Sequence, residues 1–244
     1  MNAFAVLGIA LLTALATGLG ALPVLAFGSD ERRAAAISSA LAAGAMLGAS
    51  IGLFYEGLSR SVGGVALGAL VGVCFIVVSG RLLGHTHDAH IGELRGARGL
   101  TALMVIGVMT VHSFTEGAAV GVSFAGEESL GIAIAIAIAV HNIPEGVAIS
   151  LVLLPFGATL RSAVGWSIFS SLPQPLTAVP AFLAVSAFEP LLPAGLGFAG
   201  GAMTWMVVTH LLPDALEAGS RQAGLVAMAL SATAMIAFEF AIGF

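Results

Sequence analysis

Ala139-Val140-His141-Asn142-Ile143-Pro144-Glu145-Gly146 lies in the middle of an apolar run from Ser129 to Leu154. The run is long enough to cross a bilayer, for which about 20 apolar residues suffice. Its centre is the worst place for polar groups. An ionisable side chain there costs about 2.5–3.5 kcal/mol even on insertion scales, so something must stabilise it. His141 and Glu145 are four residues apart and share one helix face. Imidazole nitrogen and carboxylate oxygen are the ligands that zinc and neighbouring divalent ions take. Pro144 has no N–H to donate to the carbonyl of Val140, which leaves that oxygen free. Taken alone, the stretch fits two readings: a proline-kinked packing helix whose polar groups satisfy one another, or a metal site.

A second copy separates them. Val111-His112-Ser113-Phe114-Thr115-Glu116-Gly117 repeats His-x-x-x-Glu-Gly in the preceding apolar segment, with His112 29 residues before His141. Consecutive spans run antiparallel. His112 is then expected at the level of Glu145, and Glu116 at that of His141. The result is a cluster of two imidazoles and two carboxylates at the bilayer midplane. Buried charges persist when paired or bound to metal, and one divalent cation neutralises both carboxylates.

These residues carry a resemblance. His141-Asn142-Ile143-Pro144-Glu145-Gly146 resembles the fifth-helix motif of the ZIP (Zrt-/Irt-like protein) metal transporters, and His112 with Glu116 resembles their fourth helix. The resemblance is of the prokaryotic type and extends over nearly the whole chain. It implies eight membrane helices, both termini outside, and a metal site between helices 4 and 5.

Composition agrees with a polytopic all-α membrane protein. Of 244 residues, 59% are hydrophobic and 9% charged, where a soluble domain has about 25% charged residues; mean hydropathy is +1.07. The net charge is −5 and lysine is absent, which excludes the basic footprint of a nucleic-acid binder. Cys74 is the single cysteine, so neither an intramolecular disulfide nor a cysteine metal site is available. The N-terminus lacks a basic region and a small-residue cleavage site, so Ala3 onward reads as the first mature span.

Hydrophobic runs mark one transporter domain of eight spans, at about 3–28, 34–57, 62–83, 99–125, 129–155, 162–188, 194–217 and 222–243. Arg32, Arg33, Arg81, Arg95, Arg98, Arg161 and Arg221 all fall at connections 1–2, 3–4, 5–6 and 7–8; Arg60 alone falls on the other side. The positive-inside rule makes those four connections cytoplasmic. Glu56, Glu127, Glu128, Glu189 and Glu239 sit towards the outer ends, where negative charge raises the local cation concentration. The same residues would also serve as ordinary solvated loop charge.

Gly44, Gly48 and Gly52 in the second span, and Gly64, Gly68 and Gly72 in the third, form small-residue stripes for close helix approach. They are expected to pack partly within one subunit and partly between the copies of a homodimer. Met46, in the second span, offers a thioether as a soft ligand or as plain core. The 84–98 connection contains His85-Thr86-His87-Asp88-Ala89-His90, a chelating pattern as well as a solvated loop. The resemblance implies that such a loop receives or senses metal at the exit. Leu172-Pro173-Gln174-Pro175-Leu176 is expected to break the sixth span where it lines a cavity. His210 and Asp214 share a face towards the cytoplasm, as an exit relay or as interfacial side chains.

The chain departs from the family pattern at two positions. Many ZIP-like sequences have asparagine after the fourth-helix histidine and a glutamate in the sixth helix, which complete a second metal site. Here those positions are Ser113 and Gln174. Site one keeps His112, Glu116, His141 and Glu145; site two is reduced to Asn142, Glu145, Ser113 and Gln174. Two divalent ions about 4 Å apart repel by roughly 16 kcal/mol at an effective dielectric of about 20, so the expectation is one ion at a time. The function expected is import of a divalent ion, zinc foremost, with Fe²⁺, Mn²⁺, Co²⁺ and Cd²⁺ accepted in degrees. The membrane expected is the bacterial inner membrane. The alternatives are an intramembrane metal-dependent hydrolase, which would need a general base such as Glu116, and a membrane scaffold. His-Glu-x-x-His is absent, and no cofactor is expected.

Overall fold

The apolar runs form helices because a helix satisfies its backbone internally, the condition for a lone segment to enter lipid. The structure, a computed structural model, describes residues 1–26, 31–84, 96–154, 157–217 and 221–241. Its helices, in chain order, are α1 (Ala3–Leu19), α2 (Glu31–Arg60), α3 (Val62–Gly84), α4 (Gly96–Gly126), α5 (Glu128–Leu153), α6 (Leu160–Ser171), α7 (Pro173–Ala187), α8 (Leu192–Met206), α9 (Leu212–Glu217) and α10 (Arg221–Ala241). Among the described residues every regular element is helical.

Among the described residues seven segments are long and apolar enough to cross a membrane, with α6–α7 and α8–α9 each counted as one. The first expected span is shorter than its apolar run. α1 stops at Leu19 and is capped by Gly20; Pro23–Ala26 then form a separate 3-10 turn. Pro23 has no N–H to continue the ladder. At 17 residues, about 1.5 Å each, α1 sits at the lower limit for a spanning helix. The sixth span divides at Leu172, where Pro173 opens α7. The seventh is interrupted by a π-helical turn at Val207–Leu211, which carries His210.

Close approaches fix which helices are neighbours. A Cβ at Gly146 of α5 would collide with the Thr17 carbonyl of α1, and one at Gly117 of α4 with the Gln174 carbonyl of α7. Only glycine admits such backbone contact. α1 and α7 are thereby pressed against α5 and α4, the two helices that bear the His-x-x-x-Glu-Gly repeats. The glycine stripes are filled from within the chain. Gly44, Gly48 and Gly52 of α2 receive α10, and Gly64, Gly68 and Gly72 of α3 receive α8. A second copy would therefore have to pair through other faces.

The Met1 ammonium is 3.5 Å from Glu128 at the α4–α5 connection. Arg60 and Ser61 at the α2–α3 connection share a cavity with Glu189. Gly126, at the end of α4, faces Leu192 beside Glu189, so these connections and the N-terminus lie at one end. The apolar core runs through α1, α2, α4, α5, α7 and α8. Large apolar side chains such as Leu67, Leu70, Leu176, Leu230 and Phe240 face outward, as lipid contact requires.

Candidate metal centre

α4 and α5 run side by side with opposite sense, so one turn of separation between histidine and glutamate in each becomes cross-pairing between them. The His112 Nε2 atom lies 3.3 Å from Glu116 Oε1 and 3.4 Å from Glu145 Oε1. His141 Nε2 lies 2.5 Å from Glu116 Oε1. One ligand atom from each of the four residues can be chosen so that all lie within 4.8 Å of one another. Among the described residues no other group of three or more His, Cys, Asp or Glu side chains meets that test.

The four side chains are sealed from solvent: His112, Glu116 and His141 are 0% exposed and Glu145 2%. Glu145 Oε1 and the Nδ1 atoms of both histidines have no hydrogen-bond partner. Two carboxylates and a bare carboxylate oxygen in so dry a place call for a cation. The separations also suit one. Around tetrahedral zinc, ligand atoms bonded at about 2.0 Å lie about 3.3 Å apart, the spacing His112 Nε2 already has to both carboxylates. The shorter His141–Glu116 contact is a hydrogen bond that a bound ion would have to open.

Beside this cluster stands a second layer of amides. Gln174, in the first turn of α7, donates through Nε2 to Glu116 Oε2 at 2.5 Å. Its Oε1 accepts from the Thr13 hydroxyl at 2.7 Å and from Asn142 Nδ2 at 3.3 Å. Asn142 Nδ2 also donates to the Thr13 carbonyl at 2.8 Å. The break at Leu172 makes this possible, because it starts α7 at the depth of the cluster. Farther along α1, the Thr17 hydroxyl bonds that of Ser171 at 2.7 Å. Thr177 ties α7 to the Phe114 carbonyl of α4 at 3.0 Å.

The residues singled out from the sequence distribute unevenly. His112, Glu116, His141 and Glu145 converge, and Asn142 and Gln174 join them through the amide layer. Ser113 is buried on α4, and Met46 is fully buried in the apolar core of α2. A hydrogen bond of 2.8 Å joins His210 Nδ1 and Thr209 Oγ1, and Asp214 is exposed on α9. His85, His87 and His90 lie outside the described residues. Thr13 is the participant that sequence reasoning missed. Its signal was slight: two threonines, Thr13 and Thr17, four apart on one face of an otherwise apolar helix.

Comparison with known proteins points the same way. The model of the family described as ZIP Zinc transporter matches residues 79–238, more than half of the chain. The zinc transporter GufA of Myxococcus xanthus is 34% identical over 224 residues, covering 86% of this chain and 87% of the relative. The zinc transporter ZupT of Corynebacterium glutamicum is 31% identical over 257 residues, covering 95% and 98%. An Arabidopsis thaliana protein, provisionally named a zinc transporter, is 44% identical over 229 residues; these are 93% of this chain but only 37% of that longer relative. The family is one of transporters and not of enzymes, which removes the hydrolase alternative. With its paired motifs on α4 and α5 and its helical bundle, the chain belongs to the ZIP zinc transporter family.

Proposed function

We propose that this chain carries divalent transition-metal ions across the membrane, zinc foremost, with His112, Glu116, His141 and Glu145 as the ligands at mid-passage. The observation that carries the reading is the convergence of four buried nitrogen and oxygen donors on two adjacent helices. A carrier must replace an ion's hydration with ligands strong enough to strip water, yet able to let go. Two imidazoles and two carboxylates provide such a mixed field, with Fe²⁺, Mn²⁺, Co²⁺ and Cd²⁺ as weaker competitors. The names of the bacterial relatives support zinc.

Transport runs inward. The arginine distribution supports cytoplasmic connections 1–2, 3–4, 5–6 and 7–8, with both termini outside, and the bacterial relatives support placing the domain at 1–244 in a bacterial-type inner membrane. Ions pass from the acidic outer end to the cluster, then towards His210, Asp214 and the loop bearing His85, His87 and His90. Asn142, Ser113 and Met46 are further candidate ligands beside the four clustered side chains. One ion occupies it at a time, since Gln174 brings an amide where a third carboxylate would be needed for a second. A homodimer, if formed, pairs outside the two glycine stripes. The test is uptake of Zn²⁺ into proteoliposomes of purified protein, with the other four ions as competitors. Saturable Zn²⁺ entry that chelators abolish is expected; its absence would overturn the reading.

A further inference from the structure

We propose that Thr13 is a positioning residue for the metal site: it turns the amides of Asn142 and Gln174 so that Gln174 holds Glu116 through its nitrogen, while Asn142 keeps its oxygen for the ion. The inference rests on the transport reading above and assigns distinct parts to two amides that the sequence offers as equivalent ligands.

The argument is one of donors and acceptors. The Thr13 backbone carbonyl accepts from Asn142 at 2.8 Å. A carbonyl has only lone pairs to offer, so the Asn142 atom facing it must be the NH₂ group. The second N–H of that group faces Gln174 at 3.3 Å, so the facing Gln174 atom must be its oxygen. That oxygen also meets the Thr13 hydroxyl at 2.7 Å, whose proton is shared with the Ala10 carbonyl at 2.8 Å. The Gln174 NH₂ is then left to face Glu116 Oε2. Reversing either amide would set oxygen against carbonyl oxygen, or NH₂ against NH₂, among buried side chains where the low dielectric makes such a conflict costly.

Two consequences follow. Gln174 Oε1 is committed to two donors and is withheld from the ion. Its NH₂ takes up one oxygen of Glu116, leaving Oε1 pointing at the histidines. Asn142 Oδ1, by contrast, is buried without a partner and is the amide oxygen available to a cation. Thr13 therefore acts on the ion through Glu116 without touching it, and it brings α1 into a site otherwise built by α4, α5 and α7. Gly146 permits this, because it lets α1 approach α5 closely enough for Thr13 to reach Asn142.

The test compares Thr13→Val, which removes the hydroxyl at nearly constant shape, with Thr13→Ser, which keeps it. Zn²⁺ affinity of the purified protein in detergent and the KM and kcat of uptake are both read. Loss of a group that orients a metal ligand lowers affinity about 10–100-fold. Thr13→Val is therefore expected to raise Kd and KM together by at least about tenfold, with kcat near the parent's, and Thr13→Ser to restore both. Gln174→Ala should do the same, and adding Thr13→Val to it should change nothing further. Thr13→Ala carries the same expectation if valine overpacks the site. Unchanged affinity in Thr13→Val and Thr13→Ala, equal losses in the valine and serine variants, or additive effects with Gln174→Ala would each overturn the proposal. Failure of the transport reading shows itself differently, as absence of Zn²⁺ uptake by the parent.

Discussion

Glu116 is the most contested residue of the chain. One oxygen faces both histidines and the other is held by Gln174. A glutamate in place of Gln174 would put a third carboxylate against it, and only a cation or a proton could hold the two together. Gln174→Glu combined with Ser113→Asn should therefore raise the number of ions bound in the core from about one to as many as two per chain, since an added carboxylate offsets ion–ion repulsion. Metal content is to be measured after His85, His87 and His90 are replaced, so that the loop contributes nothing. Two core ions in the parent would show that the present donors suffice for both. The imidazoles set a second expectation at this scale. Protons and metal compete for the same nitrogen and oxygen donors, so uptake at subsaturating Zn²⁺ should fall as the pH is lowered. Initial rates across pH 5–8 test this, and a flat profile at low metal would contradict it. The four clustered side chains were legible in the sequence because each stands alone in apolar surroundings at helical spacing. Thr13 was not, because threonine is common in membrane helices and its role depends on which helix α1 meets.

At the scale of elements, the site depends on how closely α1 and α7 can press against α5 and α4. Gly117→Ala would place a Cβ on the Thr177 hydroxyl and the Gln174 carbonyl. Overpacking of this kind costs about 1–3 kcal/mol, and here it would also lift Gln174 from Glu116. Gly165→Ala, on α6 with nothing near the added Cβ, is the control. Thermal unfolding in detergent should show a lower midpoint for the first and an unchanged or slightly higher one for the second. Equal midpoints would mean that the α4–α7 contact yields without loss. The glycines themselves announced close packing, but periodicity gives no partner. The stripes of α2 and α3 were open to a second copy on sequence grounds, and the fold gives them to α10 and α8 of the same chain. The prolines of the sixth span were more telling. Pro173 and Pro175 lack N–H groups whatever the tertiary context, so the break at Leu172 followed from covalent chemistry. The early end of α1 was masked by an apolar run that continues past Gly20 as a 3-10 turn.

For the whole molecule, direction is the open physical quantity, and it rests on seven arginines against one. In a Cys74→Ser background, a cysteine replacing Ser129, which is exposed at the α4–α5 connection, should react with an impermeant thiol reagent only from outside. One replacing His87 should react only from the cytoplasmic side. The opposite pattern would reverse the proposed import. An expectation of sidedness can be drawn from single segments because arginine placement acts during insertion, whereas the depth and pairing of helices come from packing that no single segment encodes. In the proposed function flux joins these scales, since it draws on the bundle, the close contacts and the four clustered side chains together. The most direct measurement is Zn²⁺ uptake into proteoliposomes by Glu145→Ala beside the parent, with equal amounts of folded protein. The variant loses a buried ligand and leaves His112 facing an empty place. The account predicts saturable uptake by the parent and none above protein-free vesicles by the variant. Uptake by Glu145→Ala at near the parent's rate would contradict it.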